Sequence, residues 1–122
     1  MRSNAETEVR ETVKYLLLIC GTENRLNDDQ RMQAWAAYNT ELVASGKIRG
    51  GERLRPAASA TTLRLNGGER LLSDGPYAET KEQLGGFYMV EAGNLDEAVE
   101  WAGKMPHLQD GGSVEIRPIW EM

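Results

Sequence analysis

The sequence predicts an α+β fold: an antiparallel sheet with two helices on one face and a β-hairpin inserted midway. Three observations predict it. The run Lys14–Cys20 (K-Y-L-L-L-I-C) is apolar and of strand length. Two stretches carry apolar residues at helical spacing, one within 32–43 and one within 95–105, with strand-like runs between them. Asn66-Gly67-Gly68 separates two of those runs, and Asn-Gly is a strong hairpin signal because both residues tolerate positive φ.

In chain order, the first strand is flanked by polar residues, as expected for a strand buried on both faces. Asp28 or Asp29 is positioned to cap the helix that follows. Its apolar face is expected to hold Met32, Trp35, Ala36, Leu42 and Val43, with Asn39 as the polar member, and Gly46 is expected to close it. Ile48–Leu54 reads as a short strand. Ala60–Leu65 and Glu69–Ser73 read as the arms of the hairpin. Asp74-Gly75-Pro76 is a turn by composition, Ala78–Leu84 a short helical turn, and Gly85-Gly86 the launch of a strand over Phe87–Ala92. Asn94-Leu95-Asp96-Glu97 resembles a capping box. It opens a second helix with Leu95, Ala98, Val99, Ala102 and Met105 inward, and Pro106 stops it. Val114–Trp120 alternates as a last strand, placing Val114, Ile116 and Trp120 on one side.

This order is the split βαβ, ferredoxin-like pattern with an inserted hairpin. It poses a problem in the first strand. Tyr15, Leu17 and Ile19 point one way, and Leu16, Leu18 and Cys20 the other, yet the helices cover one face only. A second copy of the chain, packed sheet against sheet, is the simplest cover, so a homodimer is expected. The alternative is that the hairpin folds back over that face.

Composition narrows the function classes. The chain has 122 residues, of which 40% are apolar and 27% charged, as in an ordinary globular protein of one domain. Residues 13–122 are expected to form that domain and 1–12 a flexible extension. No apolar stretch approaches a membrane span or a signal peptide. The net charge of −5 opposes nonspecific nucleic-acid binding. One cysteine, Cys20, precludes an intrachain disulfide and suits a cytoplasmic setting; it is expected to be a small buried hydrophobe.

The segment Asp74–Tyr88, D-G-P-Y-A-E-T-K-E-Q-L-G-G-F-Y, resembles the D-G-P-F-A-E-T-K-E signature of the DGPF branch of the YCII-related family, with Tyr77 for the usual Phe. K-Y-L-L-L-I-C-G, A-T-T-L-R-L, L-D-E-A-V-E-W-A and G-G-S-V-E-I-R-P extend the resemblance over nearly all of residues 14–120. It implies a ferredoxin-like domain that pairs into a dimeric α+β barrel. Some YCII-related proteins are similar to lyases that eliminate chloride from chlorinated aromatics, with a His–Asp pair whose His lies on the first helix. Here that helix, M-Q-A-W-A-A-Y-N, has no His, so the chemistry does not carry over. Other relatives resemble companions of extracytoplasmic-function sigma factors, which implies a regulatory or interaction module as the alternative to a small-molecule binder.

The candidate site follows. His107 is the chain's only histidine; it is either a proton carrier oriented by Asp74 or a solvated helix-end residue. Arg49 and Arg53 are candidate anion partners, otherwise solvated at a strand edge. Tyr77 and Tyr88, with Phe87 and Trp35, can line a pocket between sheet and helix or serve as core. Glu79, like Asp74, Glu82 and Glu91, offers oxygen to a ligand or a weak divalent ion, or is simply solvated. No cofactor is expected, since one His and one Cys do not make a zinc site. Ser59, Ser73 and Ser113 lack a nucleophile-elbow context.

Overall fold

A computed structural model describes residues 11–22, 31–76 and 82–121. Its elements run β1 (Val13–Gly21), α1 (Met32–Ser45), β2 (Ile48–Arg53), β3 (Thr61–Asn66), β4 (Glu69–Asp74), β5 (Gln83–Ala92), α2 (Leu95–Gly103) and β6 (Ser113–Pro118). Short 3-10 turns occupy Ala57–Ser59 and Pro106–Asp110. Four strands form one antiparallel sheet in the order β2-β5-β1-β6, and β3 and β4 pair as a separate hairpin. Two β-α-β units whose strands interleave in this order are compatible with a ferredoxin-like fold.

The alternation read in β1 has the expected consequence. Tyr15, Leu17 and Ile19 are buried with Val90 and Ala92 of β5, Tyr38 and Leu42 of α1, and Ala98 of α2. Leu16, Leu18 and Cys20 are only half-buried on the opposite face. Their cross-strand partners there are Met89 and Phe87, and Cys20 faces Leu84 past a bulge. Cys20 thus lies on the uncovered side rather than in the core. Burial still raises its thiol pKa, helped by Glu82 and Glu115.

The hairpin leaves that face uncovered. Leu63 pairs with Leu72 and Leu65 with Arg70, so the three leucines share one side of the ribbon. Leu65 and Leu72 are each 70% exposed. The two-residue turn uses Gly67 and Gly68, at φ 61° and 89°, while Asn66 pairs with Glu69 as the last rung. The Asn-Gly signal found the hairpin one residue early.

Both helices depart from the faces expected of them. In α1 the buried residues are Tyr38 and Leu42, four apart, whereas Val43 is 53% exposed and Ala36 points outward. Tyr38 replaces the smaller Ala36 as the inward residue, and its hydroxyl donates to the Trp101 carbonyl at 2.9 Å. Asp28 and Asp29 lie outside the described residues. Gly46 closes α1 at φ 75°, its N–H donating to the Val43 carbonyl. In α2, Ala98 and Ala102 are buried but Leu95 and Val99 are exposed. The cap is as read from sequence: Asn94 accepts from the Glu97 N–H at 2.9 Å, and Glu97 accepts from the Gly93 N–H at 2.8 Å. The helix ends at Gly103, before Pro106, which instead starts a 3-10 turn.

Two further expectations fail. Gln83 and Leu84 belong to β5, not to a helical turn, so Gly85 and Gly86 lie within the strand. Pairing of Gln83 with Gly21 and of Leu84 with Cys20 of β1 outweighs the local helical propensity of that stretch. Trp120 lies beyond the end of β6 and is 86% exposed, so it does not share the burial of Ile116. Among the described residues no helix is long and apolar enough to cross a membrane.

Candidate functional site

Between the first turns of α1 and the β2–β5 edge of the sheet lies a cavity of about 310 Å³. Strand alternation decides what faces it. Gly51 pairs with Tyr88, and Arg53 pairs with Gly86, which itself pairs with Ile19. These residues therefore share the helix side of the sheet. Two of those inward positions are glycine, so the floor is backbone where a side chain would otherwise fill the layer. The glycines are required: a Cβ on Gly86 would meet the Glu52 carbonyl oxygen at 2.7 Å, and one on Gly51 the Tyr88 ring at 2.8 Å.

Trp35, Met32 and Asn39 of α1 form the opposite wall. Trp35 stands edge-on to Tyr38 with ring centroids 5.8 Å apart. Tyr88 meets Tyr38 at 5.5 Å and donates its hydroxyl to Asn39 Oδ1 at 3.0 Å. Burial pushes the Tyr88 phenol pKa up, and that of Tyr38 further, so both stay protonated at neutral pH. Arg53 spans the rim, its Nη1 3.9 Å from Met32 Sδ.

Of the aromatics expected to line a pocket, Trp35, Phe87 and Tyr88 do so; Tyr77 lies outside the described residues, as does Glu79. Arg53 and Tyr88 are brought together at the cavity, and Arg49 is not. Its Nε donates to Glu91 Oε1 at 2.8 Å and its Nη1 to the Gly46 and Ile48 carbonyls. Thr12 also donates to Glu91, and these bonds hold that carboxyl below its usual pKa. Among the described residues no group of three His, Cys, Asp or Glu side chains is placed to hold a metal ion.

His107 is not solvated: it is 2% exposed, in the turn after α2. Its Nε2 lies 2.7 Å from the Ser113 carbonyl oxygen, so that nitrogen carries the hydrogen and donates. Its Nδ1 is buried without a partner. The ring stacks on Trp35, centroids 5.5 Å apart and planes 25° from parallel, behind the cavity wall. Desolvation lowers its pKa, against the opposing pull of the Ser113 bond and of Asp110 and Glu82. Asp74 ends β4 on the exposed hairpin, and no hydrogen bond joins it to His107. Asp110 instead takes a two-pronged bond from Arg31 at 2.8 and 2.9 Å, tying the turn to the start of α1.

The cavity glycines were missed from sequence, where Gly50-Gly51 and Gly85-Gly86 read as breaks. Glycine inside a strand also marks a close backbone approach, and that was the available signal.

A curated relative, an uncharacterized protein of Rhizobium meliloti (strain 1021), is 41% identical over 93 residues, 75% of each chain. The YCII-related domain matches residues 13–122, from the first residue of β1 onward. The chain belongs to the YCII-related family.

Proposed function

We propose that the protein binds a small molecule in the cavity between α1 and the β2–β5 edge. The observation that carries this reading is the cavity itself. Its volume falls within the range of roughly 300–1,000 Å³ typical of ligand sites, and aromatic walls converge there with a few polar groups. The Asp74–Tyr88 segment runs into it, since Gly85, Gly86, Phe87 and Tyr88 are lining residues. On that motif we place the chain in the DGPF branch. Asp74 opens that segment at the end of β4, and Glu79 lies outside the described residues. A lyase-like reaction needs a proton carrier in contact with the ligand; His107 sits behind Trp35, so binding is the better-supported reading.

We further propose a cytoplasmic homodimer closing into a dimeric α+β barrel. Support comes from the half-buried Leu16, Leu18, Phe87 and Met89 and from the exposed leucines of the hairpin, which need a cover. The same leucines favour a second reading, a regulatory module that docks another protein.

Fragment screening by NMR tests the first reading. Hits should shift the Trp35 indole N–H and the Gly86 amide together; a diverse fragment set that moves neither refutes it. Native mass spectrometry should give twice the 13.6 kDa chain mass. A monomer at every concentration would remove the dimer and leave the hairpin to a different partner.

A further inference from the structure

We infer that the cavity selects an uncharged, flat aromatic molecule bearing a carboxamide, its ring against the glycine floor and its amide on the Asn39–Tyr88 pair. The inference rests on the binding reading above and specifies the class of ligand.

Shape comes first. Gly51, Gly85 and Gly86 line the cavity without side chains, and at Gly51 and Gly86 a Cβ would collide with its neighbours. A floor of backbone suits a planar molecule lying along it. Trp35 and Tyr88 add aromatic surface, and ring contacts strengthen binding beyond simple burial.

Hydrogen bonding comes second. Asn39 on the helix wall and Tyr88 on the sheet wall are joined by one bond, from the Tyr88 hydroxyl to Asn39 Oδ1 at 3.0 Å. Neither side chain has another hydrogen-bond partner among the described residues. A side-chain amide has two N–H donors and two acceptor lone pairs, and a phenol both donates and accepts. One internal bond therefore leaves the pair with its amide N–H groups and with lone pairs on Oδ1 and Oη. Turning the amide over exchanges the roles and still leaves a donor beside an acceptor. The complement is a ligand group that itself carries an N–H beside a C=O, which is a carboxamide. A ketone answers only the donor, and a carboxylate sets its oxygens against the acceptors of the pair.

Charge comes third. Asparagine does not titrate, and burial keeps the Tyr88 phenol protonated, so both members of the pair are neutral. Glu52 pairs with Phe87, which pairs with Leu18, so alternation carries its carboxylate to the other face of the sheet. Arg53 at the rim is already partnered, so its charge is not left for a ligand to answer. A charged ligand would give up its hydration here without an opposite charge in return.

The experiment titrates 2-naphthamide, 2-acetylnaphthalene and 2-naphthoate into the full chain and follows the Trp35 indole N–H and the Gly86 amide by NMR. The methyl ketone keeps the shape and the carbonyl of the amide but has no N–H, and naphthoate replaces the amide with a charge. Naphthamide should bind at least about fivefold more tightly than the ketone, the worth of one net hydrogen bond, and more tightly than naphthoate. Replacing both members of the pair, N39L with Y88F, should bring amide and ketone within about twofold of each other. That double variant keeps the Tyr88 ring, and Asn39 is exposed. Equal wild-type affinity for amide and ketone overturns the ligand class while the cavity reading stands, as does tighter binding of naphthoate or an amide preference that survives the double variant. The wild-type comparison decides the matter even where the variant fails to fold. If none of the probes moves either resonance, the cavity reading falls and takes this inference with it.

Discussion

The layer between helices and sheet is solid at one end and hollow at the other. Where the last turns of α1 meet α2, Leu17, Leu42, Val90, Ala98 and Met105 are buried with essentially no exposed surface. Beneath the first turns of α1, the sheet presents Gly51 and Gly86, and Met32 overhangs the gap half-exposed. Ile19 and Trp35 stand on the boundary, each touching the core and lining the cavity. The same helix and the same strands thus do two jobs. Large apolar side chains at one end provide cohesion, and their absence at the other leaves room for a ligand.

Stability measurements are the sharpest way to break that division. Leu42→Ala should cost about 2–5 kcal/mol, because it leaves a hole that close-packed neighbours cannot fill. Met32→Ala, at the hollow end, should stay within about 0.5 kcal/mol of wild type. Urea denaturation of the two variants reads the contrast. Similar losses would mean that the first turn of α1 contributes to the core after all.

The two kinds of glycine give the next largest effect. In Gly86→Ala the new methyl would press on the backbone of β2, with the Glu52 oxygen at 2.7 Å and Arg53 Cα at 3.3 Å. Backbone cannot rotate away as a side chain can, so the strands must part, at about 1–3 kcal/mol. The Leu54 amide, bonded to the Gly85 carbonyl at 2.9 Å, should exchange faster with solvent. Gly103→Ala is the counterpart. Nothing lies within 4 Å of the added methyl, and the residue ends α2 without a positive φ, so the change should stabilise by about 0.4–1 kcal/mol. Opposite signs for one chemical change would show that the floor glycine is there for contact rather than for flexibility.

This contrast also explains what was legible in the sequence. Elements whose signal is local were readable: the two-sided pattern of β1, the Gly46 stop, the Asn94–Glu97 cap and the hairpin. Choices made by tertiary packing were not. Tyr38 points inward because Trp101 and Tyr88 receive it, and Gln83-Leu84 is extended because β1 supplies partners. The cavity was half legible. Trp35, Phe87 and Tyr88 advertised an aromatic lining, but Gly51 and Gly86 register as interruptions until the neighbouring strand is known. His107 followed a helix in a polar-looking tail, and only the fold reveals that Trp35 and Gly112 enclose it.

The smallest expected effect concerns that histidine, which backs the cavity wall from the solid side. Neutral His107 satisfies Ser113 through Nε2–H, and its Nδ1 has no partner. Protonation would place a second N–H, and a charge, where no acceptor waits, so burial holds its pKa below the ordinary 6.5. The unfolded chain therefore binds the proton more readily than the folded one. The neutral ring's contribution to stability is complete above about pH 6.5, the unfolded value. It is lost as the pH falls through the folded pKa, below which both states carry the proton. A single proton limits the slope to about 1.4 kcal/mol per pH unit. Glu97 also has a lowered pKa, but as a carboxylate it loses its contribution at more acid pH, below the usual 4.5, so the two windows separate. His107→Gln keeps an N–H donor for Ser113 and removes the titration, so its stability should be flat from pH 7 to 5.5 where the wild type declines. Because the chain has one histidine, its imidazole Cε1–H resonance reports the folded pKa directly, whether or not the variant folds. A titration midpoint at or above 6.5 would mean that the ring reaches water, and that Trp35 is not held from behind in the way its stacking on His107 implies.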